Sequence, residues 1–293
     1  MRSVGEIAQN CTSLEFWKRA FSRYCNTLEN SKFGSIVFDY DGTLCDPRLR
    51  FSGLDVKLGS ILDDLVEKGI TLGIATGRGK SVRKDMQKVI HRSNWGKVWI
   101  GYYNGSDIAL LDDEKRPEKN AEINPVLKEF AKALTGCEIS LKIKTIEERP
   151  NQISIEPISS VSTAVWSILE DVVHKGRFEK IQILESSHSF DVLAPGVSKL
   201  ALVNTIIQGR STNANSEVLC IGDKGKWPGN DYELLGWKYS LSADTVSSDP
   251  NSCWNFAPLG HRGVQATSYY LEAFDVENGL MSIGKHIFGG RPK

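Results

Sequence analysis

Ser35-Ile-Val-Phe-Asp-Tyr-Asp-Gly-Thr-Leu44 decides how this chain folds. A short β-branched and aromatic run breaks into an acidic turn containing glycine, as a buried parallel strand does at its C-terminal end. Asp39 and Asp41 flank Tyr40 there. On an extended backbone their side chains point the same way, and in a tight turn they can share one site. Paired carboxylates suit a magnesium ion, which demands oxygen ligands and often bridges to substrate phosphate. An aspartate can also attack phosphorus, while a second carboxylate protonates the leaving oxygen and then activates water. Taken alone, the same residues also describe an ordinary acidic turn built on Asp41-Gly42.

Outward from this stretch, Val56 to Lys68 has helical periodicity, and Gly69 is placed to stop that helix. Ile70 to Gly77 reads as a second strand ending in a turn, Ser81 to Ile90 as a helix, and Val98 to Tyr102 as a third strand. Such alternation predicts a parallel α/β sheet with its site at the C-terminal ends of the strands. After Asn104-Gly105 the texture changes. Ile108 to Leu111 reads as a strand and Asp112 to Asn120 as a charged loop. Pro125 to Leu134 and Val161 to His174 read as helices, and Ser140 to Ile146, Gln152 to Glu156 and Lys180 to Leu184 as strands. That succession predicts a small α+β insert with an antiparallel sheet. The α/β pattern returns with a helix over Val197 to Gln208, a strand over Val218 to Ile221 and a helix start at Asp231 to Leu235. Ser211 to Ser216 is a polar loop, and the end from Gly289 is expected to fray.

Three further elements could join the two aspartates. Thr76-Gly77-Arg78, at the second strand's end, offers a hydroxyl and backbone amides for phosphate oxygens, or is simply a strand-ending turn. Lys199, in Gly196-Val-Ser-Lys, would offset charge on a transferring phosphoryl group, although a lone lysine at a helix start is usually solvated. Gly222-Asp223 supplies another strand-end carboxylate, and Asn230-Asp231 follows to orient a metal shell.

The segments VFDYDGTL, ATGR, GVSK and GDKGKWPGND resemble motifs one to four of the haloacid dehalogenase superfamily, specifically its phosphatases. The resemblance covers residues 33–104 and 189–275. It implies that Asp39 is nucleophile and magnesium ligand, and that Asp41 is general acid/base and lends its main-chain carbonyl to the metal. It further implies that Thr76, Gly77 and Lys199 bind the phosphoryl group and that Asp223 coordinates magnesium. An insert between motifs two and three, with Asn104-Gly105 before it and Phe190-Asp-Val after it, is similar to the C2 cap of the class IIB group. That group includes sucrose-phosphate phosphatase and related sugar-phosphate phosphatases. The expected fold is a Rossmann-like three-layer α/β core with a parallel sheet and an inserted α+β C2-type cap. The expected division is a helical extension over 1–32, a core over 33–110 and 189–293, and a cap over 111–188. One departure stands out: where the group's GDxxND pattern has two residues between its two pairs, this chain places six, Lys224 to Gly229, which either contact substrate or form a surface turn.

The expected reaction is Mg2+-dependent hydrolysis of a small phosphomonoester, a sugar phosphate first among them. A phosphomutase, or a phosphate-site binding or regulatory subunit, are the alternatives. Arg149 and His188, with Glu147 and Asn151, lie in or beside cap strands as candidate substrate contacts; for Arg149 a solvated strand-end charge is the competing reading. His261-Arg262 reads as a surface turn.

Composition bounds the partners. Thirty-six basic residues balance 36 acidic ones, so no global field holds nucleic acid or an anionic membrane. Apolar runs such as Ile36 to Phe38 are far too short to span a bilayer, and the N-terminus shows no secretory pattern, so a cytoplasmic protein is expected. The six cysteines form no CxxC pair, which points away from disulfides and zinc. Ser13 to Asn30 reads as a helix with a stripe of Leu14, Trp17, Phe21, Tyr24 and Leu28. Packing on its own domain is the expectation for that stripe, and docking to a partner the alternative.

Overall fold

The computed structural model describes residues 14–49, 52–118, 121–135, 138–209, 216–252 and 254–288. The expected C-terminal tail, most of the 211–216 loop and the first 13 residues of the extension lie outside these.

The core opens with helix α1 (Leu14–Glu29) and strand β1 (Phe33–Asp39), whose seven residues are all buried. Helix α2 (Val56–Glu67), strand β2 (Thr71–Ala75), helix α3 (Lys80–Val89), strand β3 (Val98–Tyr102) and strand β4 (Asp107–Leu110) follow. Asp55 caps α2 by accepting from the amides of Lys57 and Leu58, and Gly69 at φ +95° ends that turn. The insert contains α4 (Pro125–Thr135), β5 (Ile143–Arg149), β6 (Gln152–Pro157), α5 (Ser162–Lys175), β7 (Gln182–Glu185) and β8 (Phe190–Leu193). The chain returns to the core through α6 (Leu200–Gln208), β9 (Glu217–Lys224), α7 (Tyr232–Leu235), β10 (Ser240–Thr245) and α8 (Val264–Glu272). It closes with the hairpin β11 (Phe274–Glu277) and β12 (Leu280–Ile283).

The large sheet runs β10-β9-β1-β2-β3-β4, parallel except for β4, which is antiparallel to β3. Strand β1 is central, so its end at Asp39 lies between the ends of β2 and β9. Leu202, Val203 and Ile206 of α6 cover one face of the sheet, against Val37, Val218 and Cys220. Helices α2 and α3 cover the other with Leu58, Leu62, Val82 and Met86. The result is the expected three-layer α/β core.

The α1 stripe is spent inside this core. Trp17, Phe21, Tyr24 and Leu28 are buried, with the Phe21 ring centroid 5.3 Å from that of Trp254. The Tyr24 hydroxyl donates to the Ser240 carbonyl at 2.6 Å. Leu14, the first residue of the stripe, stays exposed with its neighbour Phe16. No helix among the described residues is long and apolar enough to cross a membrane.

The insert forms a separate antiparallel sheet, β5-β6-β8-β7. Ile153, Ile155, Ile183 and Val192 face Leu127 and Phe130 of α4 and Val165 and Leu169 of α5. Two expectations need correction. Strand β5 begins at Ile143 rather than Ser140, because residues 138–142 form a turn. The cap also extends past residue 188: Phe190–Leu193 pairs between β6 and β7, so the boundary follows Leu193. A four-residue strand gains its identity from its two neighbours, which its own short pattern does not reveal.

Candidate active site

Four of the expected site residues stand at element ends that the sheet brings to one edge. Asp39 ends β1, Thr76 follows β2, Asp223 lies near the end of β9, and Lys199 sits at the N-cap position of α6. Lys199 is 2 % exposed, yet its ammonium contacts Asp39 Oδ1 at 2.6 Å and Asp231 Oδ1 at 2.7 Å. A buried cation costs several kcal/mol in desolvation unless anions surround it, and here two do.

The two carboxylates are held differently. Asp231 Oδ2 also accepts from the backbone amides of Asp223 at 3.0 Å and Lys224 at 3.2 Å. Asp39 Oδ2 has a hydroxyl bond from Thr43 at 3.3 Å. Burial opposes ionisation of Asp231, but Lys199 and those amides hold its carboxyl below the usual range. Asp39 is pushed up to about 8, first by burial and then by Asp231, with Lys199 opposing. One cation thus serves two carboxyls, and the better hydrogen-bonded one keeps the charge. Burial, Asp231 and Asp39 likewise raise Asp223 well above the carboxylate range.

Asp39, Asp223 and Asp231 bring carboxylate oxygens within 4.8 Å of one another. Asp223 Oδ1 is buried without a hydrogen-bond partner. An orphaned carboxylate oxygen beside two further carboxylates, in an all-oxygen set, fits a hard divalent cation such as magnesium. Gly42 leaves that space: at φ +88°, a Cβ would stand 2.2 Å from Asp223 Oδ2. Asp231, expected only to orient the shell, thus stands in the cluster itself. Its neighbour Asn230 is buried, also has an orphaned side-chain oxygen, and lines the cleft above.

Asp41 lies outside the carboxylate cluster. Its carboxylate forms a two-point ion pair with Arg78, Nε to Oδ2 at 2.8 Å and a second bond to Oδ1. The Arg78 guanidinium carbon is 5.2 Å from the Tyr40 ring centroid. The Thr76 hydroxyl accepts from the Arg78 amide at 3.0 Å, which closes the turn after β2.

Above these residues a cleft of about 440 Å³ separates core from cap. Arg149 and His188 both line it, and so does Glu147. Arg149 is paired with Glu147 at 2.7 Å, its guanidinium carbon 5.6 Å from the Tyr103 ring centroid, and His188 Nε2 lies 3.3 Å from the Pro47 carbonyl. Asn151 and His261-Arg262 do not line it; Arg262 pairs with Asp244 at 3.1 Å.

The Lys224–Gly229 stretch is a turn with Lys226 and Trp227 exposed, as one of the two expectations had it, and it also joins cap to core. The Glu185 amide donates to the Pro228 carbonyl at 2.7 Å, and the Asn230 amide to the Glu185 carbonyl at 3.0 Å. Gln182 adds a bond to Glu233 at 2.9 Å. Motif reading does not show the grip of Arg78 on Asp41, and it marks Asn104 and Asp191 only as flanks of the insert, with no sign that they meet Gln152. The alternation of Gln152 to Glu156 marks a strand, but nothing local says what Gln152 meets.

Residues 36–143 match the family model of haloacid dehalogenase-like hydrolases. No curated protein matches the sequence. Among solved structures, a Thermoplasma acidophilum protein aligns at TM-score 0.55 and 15 % identity, covering 82 % of this chain and 97 % of that one. The C-terminal domain of Candida albicans trehalose-6-phosphate phosphatase aligns at 0.55 and 13 %, covering 87 % and 94 %. An IMP-bound Plasmodium falciparum IMP-nucleotidase aligns at 0.52 and 16 %, covering 78 % and 67 %. The stretch that carries Asp39, Asp41 and Thr76 thus matches the model of haloacid dehalogenase-like hydrolases, and the chain shares its fold with those structures.

Proposed function

We propose that this chain is a magnesium-dependent phosphatase that hydrolyses a small phosphomonoester through an aspartyl-phosphate on Asp39. The observation that carries the reading is the buried set of Lys199, Asp39, Asp223 and Asp231, whose near neighbours in sequence Asp41 and Asn230 line the cleft. Asp39 and Asp223, with the Asp41 main-chain carbonyl, would hold magnesium, and Asp231 would orient Lys199 and the amides of the β9 end. The bound ion would offset charge on the phosphoryl oxygens and on Asp39.

The chain's own residues do the rest. Thr76, Gly77 and Lys199 bind the phosphoryl oxygens and set phosphorus in line with an Asp39 oxygen. That oxygen forms the new bond to phosphorus while the ester bond breaks, and Asp41 gives its proton to the departing alkoxide. Water then attacks phosphorus, loses a proton to Asp41 and frees Asp39. Asp41 must leave Arg78 to do this. The cleft's lining by Thr145, Ser154, Ser189, Glu147 and Glu156 favours a polyhydroxylated leaving group, hence a sugar phosphate.

Phosphate release across phosphorylated sugars, nucleotides and polyols tests the reading, with and without magnesium and beside Asp39→Asn. Magnesium-dependent turnover that vanishes in the variant is expected. Turnover that survives in Asp39→Asn, or no release from any compound by folded protein with magnesium, would sink it.

A further inference from the structure

Three polar side chains buried between cap and core take no part in the chemistry above. Asn104, Gln152 and Asp191 are each 3 % exposed or less. Gln152 opens β6, Asp191 lies in β8, and Asn104 follows β3 at φ +56°. Buried polar groups are tolerated when they bond to one another, and these do. Asn104 Nδ2 donates to Gln152 Oε1 at 3.0 Å and to Asp191 Oδ2 at 3.3 Å. Gln152 Nε2 donates to the Ser154 hydroxyl at 2.7 Å, which donates in turn to Asp191 Oδ1 at 2.7 Å.

The network reaches the turn after β2. The second bond of Gln152 Nε2 goes to the Gly77 carbonyl at 3.3 Å, and the Asn104 amide donates to the Thr76 carbonyl at 2.8 Å. The Thr76 and Gly77 carbonyls are therefore held, one by the core and one by a cap side chain. The packing leaves no slack: a Cβ on Gly77 would stand 3.0 Å from Asp191 Oδ2. Fixing a peptide's carbonyl also fixes the amide on its other side, because the unit is planar.

From this we infer that Gln152 is a positioning residue for the phosphate-binding turn, so that the turn is complete only with the cap seated. Gln152 touches no reacting atom; it acts through the Gly77–Arg78 peptide. This inference rests on the reading of Thr76 and Gly77 as phosphate-binding. Loss of one buried hydrogen bond that orders a binding loop corresponds to about fivefold to tenfold in affinity.

The test compares the full chain with Gln152→Met, which keeps the side-chain length but loses the amide. Two quantities are measured with magnesium present: affinity for inorganic phosphate by calorimetry, and amide hydrogen exchange of the segment 76–80. The expected result is five- to tenfold weaker phosphate binding with faster exchange of that segment, and KM raised alongside while kcat stays within about twofold. Unchanged phosphate affinity in folded Gln152→Met overturns the inference, whatever the exchange shows. If that variant does not fold, Ser154→Ala decides on the same two readouts, with about threefold expected and no change overturning. Wild-type protein that binds no phosphate at all would instead strike the phosphatase reading, and exchange would still show whether Gln152 orders the turn.

Discussion

Lys199→Met isolates the electrostatics of the site. Methionine nearly matches lysine in length, so little cavity opens, but Asp39 and Asp231 lose the ammonium at 2.6 Å and 2.7 Å. Removing one partner of a buried ion pair costs about 3–5 kcal/mol, because an uncompensated charge stays behind. Asp231 keeps its two backbone amides, which places the expected loss near 4 kcal/mol, or roughly 8–12 °C in Tm for a chain of this size. The loss also depends on pH. Asp39 has a folded pKa of about 8 against 3.8 unfolded, so the folded state holds the proton more tightly and the stability it contributes is lost as pH rises through 8. Taking away Lys199 raises that carboxyl further, so the variant should be hurt more at pH 9 than at pH 6. Urea unfolding in EDTA at both values measures this. Lys199→Met with Asp39→Asn should recover more than half of the deficit. A loss below about 1 kcal/mol, or one equal at the two pH values, would refute the account of one cation shared by two buried carboxyls.

Gly42→Ala should weaken magnesium binding at least tenfold, because its Cβ would meet Asp223 Oδ2 at 2.2 Å; calorimetric titration with magnesium checks this, and wild-type affinity would remove Gly42 from the argument. Cutting the Lys224–Gly229 stretch from six residues to two removes the bonds to Glu185, so the cap should swing more freely and KM rise severalfold while magnesium still binds. Small-angle scattering and KM follow it, and unchanged values would mean the stretch is no strut. Trp254→Ala should cost about 3–5 kcal/mol, since Trp254 is buried among Trp17, Phe21 and Tyr24, and denaturant melts report it. A loss under about 1 kcal/mol would place α1 outside the cooperative core.

Asp39, Thr76, Lys199 and Asp223 were legible from sequence because each sits where a short apolar run or a helix meets a turn. Local pattern marks such ends, and a parallel sheet must gather strand ends at one edge. The α1 stripe was legible too, through its helical spacing. Strand β8 was not, because four residues gain strand identity only from partners on both sides. Other features depend on contacts between residues far apart in the chain. Lys199 reaches Asp39 across 160 positions, Gln152 reaches Gly77 across 75, and Arg78 finds Asp41 across 37. The same holds for the Lys224–Gly229 stretch: its composition says turn, and only the approach of β7 makes it the strut that seats the cap. Sequence alone marked which residues are candidates for the proposed chemistry, since local periodicity and turn chemistry are written in neighbours. Tertiary structure decided which of them share a charge and which side chains hold them, because burial and distance exist only once the chain has closed on itself.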